Sequence, residues 1–243
     1  MLRFFRRIRK SLLGLGQARK YILYATGEVL LVMIGILLAL QVNNWNEERK
    51  TRQKEQKILL DLKDNLEQSV QAFQWHKGAT RREIRMIDNI FHCMDNNVMS
   101  DSLVYWMQWA SMPDNIPLIS TAFESLKTIG YDLIQSDTLR HEIIVFFDIQ
   151  YPLGSRQIAL RVESEQNAYD PFLKEYITRD VSSQKAQMTI DNFPKMRQDR
   201  LFKNTLWSLW RFKKQRYLPS LDWWAKQCRE LIDLIDLELE SWS

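Results

Sequence analysis

Residues 21–42, YILYATGEVLLVMIGILLALQV, form one apolar segment of membrane length, interrupted by a single charge, Glu28. A helix rises about 1.5 Å per residue and needs about 20 residues to cross a hydrocarbon layer of about 30 Å, so this stretch is long enough to span a bilayer. A basic leader followed by an apolar run also describes a cleaved signal peptide. Here the run extends upstream through residues 21–25, and the following ALQVNN lacks a small-x-small cleavage pattern, which favours an uncleaved anchor.

Lysine and arginine near the ends of a span resist translocation and so set its orientation. The first 20 residues carry Arg3, Arg6, Arg7, Arg9, Lys10, Arg19 and Lys20 with no acid, against Arg49, Lys50, Arg52, Lys54 and Lys57 on the other flank. The expectation is a cytoplasmic N-terminus and a C-terminal domain on the outer side of the membrane. The charge balance removes a tempting alternative. The whole chain has a formal net charge of +4, yet residues 1–42 hold 7 basic and 1 acidic side chain, leaving 27 and 29 for the rest. The larger part is therefore nearly neutral, and no nucleic-acid partner is expected. The basic tail is instead suited to anionic lipid headgroups, with Phe5, Ile8 and Leu12 at the spacing of a short interfacial helix that Gly14 and Gly16 would end.

The expected fold class is all-α: a single transmembrane helix continuing into a helical stalk and a helical-bundle soluble domain. The expected divisions are a basic tail at 1–20, the span at 21–42, the stalk at 43–95 and the packed domain at 96–243. Residues 43–94 contain no proline and one glycine, Gly78, and Leu59, Leu62, Leu66, Val70 and Phe73 recur at three- and four-residue steps. A short helix is expected around 101–110, before the loop SMPDNIP. Thr121 with Glu124 reads as a capping box and Gly130 as a stop. Ser136 opens a further helix with Leu139, Ile143, Phe146 and Phe147 inward, broken by the YPLG of 151–154. Helices follow over 155–168, from Pro171 after an Asp170 cap, from Pro194 to Tyr217, and from about Ser220. In the last of these, Leu221, Cys228, Ile235 and Trp242 lie seven apart, flanked by Trp224 and Leu231. No strand pattern of comparable strength is present.

The box KYILYATGEVLLVMIGILLALQVNNWNEERK at 20–50 resembles the N-terminus of a domain-of-unknown-function family of short single-pass membrane proteins of Gram-negative bacteria. The resemblance rests on Tyr21, Gly27, Glu28, Gly35, Ala39, Asn43, Asn44, Trp45, Asn46 and Glu47, with a weaker echo in AFESLKTIGYDLIQSDTLRHEI at 122–143. It implies a single-span envelope protein, anchored in the inner membrane with its helical soluble domain in the periplasm, and supplies no activity.

Glu28 asks for compensation, because a charge at mid-membrane costs about 2.5–3.5 kcal/mol on insertion scales. At 100° per residue it shares a face with Val32, Gly35, Ala39 and Asn46, and Gly35 with Ala39 makes a small-xxx-small step that permits close helix approach. Three readings stand: a docking surface for a second copy or a membrane partner protein, a glutamate that snorkels to the headgroups, or an ion path. Trp45, Tyr21 and Tyr24 serve as interfacial anchors, while Asn43, Asn44 and Asn46 supply more amides than anchoring requires.

Elsewhere the chemistry is sparse. His76, His92 and His141 form no metal-binding pattern, and His92 beside Cys93 reads as ordinary helix. Cys93 and Cys228 permit a disulfide in an exported domain, although Cys228 lies on an apolar stripe and suits a buried free thiol equally. Acidic pairs such as Glu47/Glu48 and Asp236/Glu238 read as solvated faces. Trp207, Trp210, Phe212, Tyr217, Trp223 and Trp224, interleaved with Arg211, Lys213, Lys214 and Arg216, suit a helical core whose edges basic stems cover, or else a membrane surface or anionic ligand. No catalytic, metal or cofactor residue is expected. Two function classes follow: a membrane-anchored interaction or scaffold protein, such as an accessory subunit of an envelope complex, and, alternatively, a ligand-binding sensory or regulatory module.

Overall fold

The structure, a computed structural model, describes residues 18–111, 118–180 and 187–242. The expected tail helix over Phe5, Ile8 and Leu12, its stop at Gly14 and Gly16, and most of the SMPDNIP loop lie outside the described residues. The fold is all-α, and the chain divides into two units between Glu55 and Gln56. The first helix, α1, spans Ala18–Asn96. With no proline and one glycine past the apolar segment, nothing in the sequence interrupts it, and it passes Gly78 unbroken. It closes at Asn97, which takes the left-handed conformation (φ 56°), while the Val98 N–H donates to the Cys93 carbonyl at 3.0 Å, satisfying one of the last free carbonyls.

The second unit follows α1 with α2 (Leu103–Trp109), α3 (Thr121–Ile129), a 3₁₀ turn (Tyr131–Leu133), α4 (Asp137–Ile144), α5 (Tyr151–Tyr176), α6 (Phe193–Gln198), α7 (Arg200–Phe212) and α8 (Leu218–Glu240). Two hydrophobic clusters form its core. One joins Ile58, Leu59, Leu62, Leu66 and Phe73 of α1 to Phe123, Ile143, Phe147, Trp224, Cys228 and Ile235. The other joins Ile87, Ile90 and Met94 of α1 to Met107, Tyr169, Tyr176, Phe202 and Leu206. The helical stripe read from the sequence is thus the buried edge of a core, and trimming one of these leucines to alanine costs about 2–5 kcal/mol. Between Phe73 and Ile87 the buried positions of α1 include polar residues, Thr80 and Glu83.

Several expected boundaries are corrected. Proline does not break the helices. A π turn at Val145–Gln150 joins α4 to α5, and a second at Lys213–Tyr217 joins α7 to α8. In the first, the Tyr151 N–H donates to the Phe146 carbonyl; in the second, the Leu218 N–H donates to the Lys213 carbonyl. Each turn is followed two residues later by a proline, Pro152 or Pro219. The ring of a proline clashes with the carbonyl four residues back, here Asp148 or Gln215, and both of those lie inside the widened turn. Pro171 lies within α5 itself, so Asp170 is a mid-helix residue and not a cap. There the burial of Tyr169, Phe172 and Tyr176 around it offsets one lost backbone bond.

The capping box is likewise absent. Thr121 is the first helical residue of α3, and Ser120 makes no side-chain cap. Asn65 of α1 does that work: its Oδ1 accepts from the Ala122 N–H at 2.9 Å and from the Thr121 hydroxyl at 2.8 Å. Ser69, one turn on, accepts from the Ile119 N–H at 2.9 Å. Gly130 does end α3, with φ 115°. Ser136 caps α4 as expected. A short antiparallel hairpin pairs β1 (Ile177–Asp180) with β2 (Gln187–Ile190), in the register Ile177 to Ile190, where both isoleucines are buried. The cysteines are free and lie in different clusters.

Candidate functional site

In the first unit, α1 carries its apolar segment exposed at every position from Val29 to Val42. From Ile22 to Val42 the large aliphatic side chains and Met33 range from 51% exposed at Leu30 to 70% at Leu31, while Tyr24, Ala25 and Glu28 near the start are half-buried. A soluble helix hides one face; this one has none to hide, and it is long and apolar enough to cross a membrane. Thr26 disposes of its hydroxyl locally, donating to the Ile22 carbonyl at 2.9 Å.

The residues singled out for binding all lie on this helix. Glu28 and Asn46 are half-buried, and Ala39 is exposed. Nothing lies within 4 Å of a Cβ built on Gly35. Regular helical turning places Glu28, Gly35, Ala39 and Asn46 on one face, with Asn43 at its edge. Asn44 and Trp45 point elsewhere, so the amides do not form one cluster. Trp45 is 63% exposed and lies under the Arg49 guanidinium at 5.9 Å, an arrangement suited to an interface between apolar and aqueous surroundings. Glu47 pairs with Lys50 at 3.0 Å.

In the second unit, the histidines stay apart, and among the described residues no group of His, Cys, Asp or Glu is placed to hold a metal. Cys93 is buried and its neighbour His92 exposed, so the two do not act as a pair. Asp236 is more than a solvated acid. Lys63 donates to both its carboxylate oxygens, at 2.6 and 2.8 Å, and this bond is the main reason the Lys63 ammonium titrates above its ordinary range.

The aromatic and basic stretch of 207–224 divides by face. Phe212, Tyr217 and Trp224 enter the core with Lys213, whereas Trp207 and Trp223 are about half exposed. Lys214 lies 4.3 Å over the Trp210 ring, and the Trp210 indole donates to Asp88 at 2.8 Å. On the outer face, α5 and α7 with its π turn enclose a groove of about 640 Å³, lined by Gln157, Ile158, Arg161, Trp207, Ser208, Arg211, Phe212, Gln215 and Arg216. Among the described residues, three arginines and no acid line it. Arg161 is aimed by the buried Glu165 at 2.5 Å, which also accepts from the Ser208 hydroxyl at 2.9 Å. Arg211 donates through Nε to Gln215 at 3.3 Å and lies 5.3 Å over the Trp207 ring. Among the described residues neither Arg211 nor Arg216 has a carboxylate partner. The sequence reading named Arg211 and Arg216 but missed Gln157 and Arg161. Their signal is an i, i+4 pair facing the i, i+4, i+8 row of Trp207, Arg211 and Gln215.

Fold and exposed segment together define a helical protein with, among the described residues, one helix long and apolar enough to cross a membrane. The sequence profile of a family of unknown function, DUF6090, matches residues 28–95, and to that family this chain is similar over a little more than a quarter of its length. Glu28, Gly35, Ala39 and residues 43–46 all fall inside the matched stretch; the arginine-lined groove falls outside it. No curated protein and no solved structure matches the chain.

Proposed function

We propose that this protein is a membrane-anchored interaction protein without catalytic activity, an accessory or scaffold subunit of an envelope complex. In this reading it sits in the inner membrane of a bacterium, with its N-terminus in the cytoplasm, its basic tail on anionic lipid headgroups and its second unit in the periplasm. The observation that carries the reading is the apolar run of Val29 to Val42, exposed on every side of its helix. Such a surface is stable only against lipid or another apolar chain. The face of Glu28, Gly35 and Ala39 then supplies the contact with a second copy or a membrane partner, since small residues allow close approach and a carboxyl group gains from a partner across the interface.

Crosslinking in membranes tests it. Gly35→Ile and Ala39→Ile keep the segment apolar while separating the helices, so insertion survives and crosslinked species diminish. Glu28→Gln retains more association than Glu28→Leu. Unchanged crosslinking in all of these variants reduces the segment to a plain anchor. A C-terminal alkaline phosphatase fusion tests the orientation, with activity expected; a fluorescent cytoplasmic green fluorescent protein fusion would reverse it.

A further inference from the structure

The geometry points to the groove between α5 and α7 as a binding site for a small organic phosphate, an ester whose anionic head meets Arg161, Arg211 and Arg216 while its ring or chain rests on Ile158 and Phe212. This goes beyond the anchor reading and does not depend on it. The charge argument comes first: among the described residues three arginines and no acid line one concavity, and while Glu165 pairs with Arg161, neither Arg211 nor Arg216 has a carboxylate partner. Like charges gathered without compensation are unfavourable unless an anion joins them, and the planar fork of arginine matches oxyanions with two parallel hydrogen bonds. With one Arg161 nitrogen held by Glu165 and the Arg211 Nε–H by Gln215, the remaining donors still exceed the about four hydrogen bonds a carboxylate accepts; a phosphate head, with three acceptor oxygens, uses them. Glu165 is buried and holds Arg161 in place, which makes it a positioning residue that fixes one fork before any ligand arrives. Shape and lining agree with a small molecule. A volume of about 640 Å³ lies in the range of small-ligand sites, and its floor combines the buried Phe212 and half-buried Ile158 with the Trp207 ring at the rim.

The test uses the full chain in nanodiscs of neutral phosphatidylcholine, titrated calorimetrically with phenyl phosphate at low salt, with benzyl alcohol as the uncharged control. Saturable binding of phenyl phosphate, absent for benzyl alcohol and weakened by added salt, is expected. Arg211→Gln with Arg216→Gln weakens it at least about tenfold, Arg216→Lys weakens it less than Arg216→Gln, and Arg229→Gln, on α8 outside the groove, leaves it unchanged. Absence of saturable binding overturns the inference, as does equal affinity in the Arg211→Gln/Arg216→Gln protein. Binding seen solely to vesicles containing phosphatidylglycerol, with none to phenyl phosphate, also overturns it, since the surface would then read lipid charge and not a small ester. The crosslinking behaviour of the Gly35 and Ala39 variants is independent of every one of these outcomes.

Discussion

The Lys213 ammonium donates to Glu83 Oε2 at 2.6 Å, and both side chains are less than a tenth exposed. Glu83 lies on α1 between the stretches that serve the two hydrophobic clusters, and Lys213 opens the π turn after α7. Stripping water from two charges is costly, so the pair is weak as a source of net stability but severe to break. Lys213→Met alone is expected to cost about 3–5 kcal/mol in chemical unfolding, because it removes the cation paired with a buried carboxylate. Adding Glu83→Leu should recover much of that loss. A double variant as unstable as the sum of the single ones would show that the two residues act independently.

Asp199 gives a pH-dependent contribution. Its Oδ2 accepts from the Tyr176 hydroxyl at 2.5 Å, and its Oδ1 caps α7 by accepting from the N–H groups of Leu201 at 2.8 Å and Phe202 at 3.1 Å. The tyrosine bond foremost, then the backbone donors, holds the carboxyl below its ordinary value. A depressed folded value means that the stabilisation is present above the unfolded pKa of about 3.9 and is lost as pH falls through the folded one. Asp199→Ala should therefore cost about 1–2 kcal/mol at neutral pH, and the gap to wild type should narrow in strongly acidic solution. Urea unfolding at both pH values measures it; a gap independent of pH would assign the effect to packing.

At Gly154, a Cβ built on α5 runs into the Trp224 indole of α8, with Cη2 at 2.9 Å. Intrinsic helix propensity favours alanine over glycine by up to about 1 kcal/mol. The overlap decides the sign, since Trp224 is 3% exposed and is held edge-on by Tyr151 at 5.0 Å and Phe146 at 6.2 Å. Gly154→Ala is expected to destabilise by about 1–3 kcal/mol despite its propensity. A raised melting temperature would mean that the ring yields.

The two thiols should be silent in the folded protein. Burial pushes Cys228 up to about 12 and raises Cys93 as well. Neither should react with a maleimide at pH 8 until denaturant is added, and then both should. The Cys93→Ser, Cys228→Ala protein should stay folded with a loss of about 1–3 kcal/mol. Fewer than two reactive thiols after denaturation without reductant would reveal a disulfide.

Local patterns carried the helical class, the apolar segment and the inward stripes of Leu59 to Phe73 and Leu221 to Ile235, because burial on one side of a helix imprints its own period. What failed was punctuation. Pro152 and Pro219 read as breaks because the rule that proline ends a helix assumes α geometry, and a π turn evades it. The cap of α3 comes from Asn65, 57 residues before Ala122. No short-range motif can announce a partner that distant. The hairpin strands, four residues each, are too brief to show a clear alternation. The groove stayed hidden because Arg161 and Arg211 are 50 residues apart in sequence and meet only when α5 packs on α7.

Each π turn inserts about one extra residue into a helical path, and a helix advances its side chains by about 100° per residue. The turns at Val145–Gln150 and Lys213–Tyr217 therefore set the phase of everything downstream. Had Lys213–Tyr217 kept α spacing, Leu221, Trp224, Cys228 and Ile235 would be swung a quarter turn or more from the core they now fill. A one-residue deletion inside that turn would let it close to α spacing with α8 still in phase, whereas a one-residue insertion with no second wide turn to absorb it would act like a frameshift in three dimensions, turning the apolar stripe of α8 out toward water.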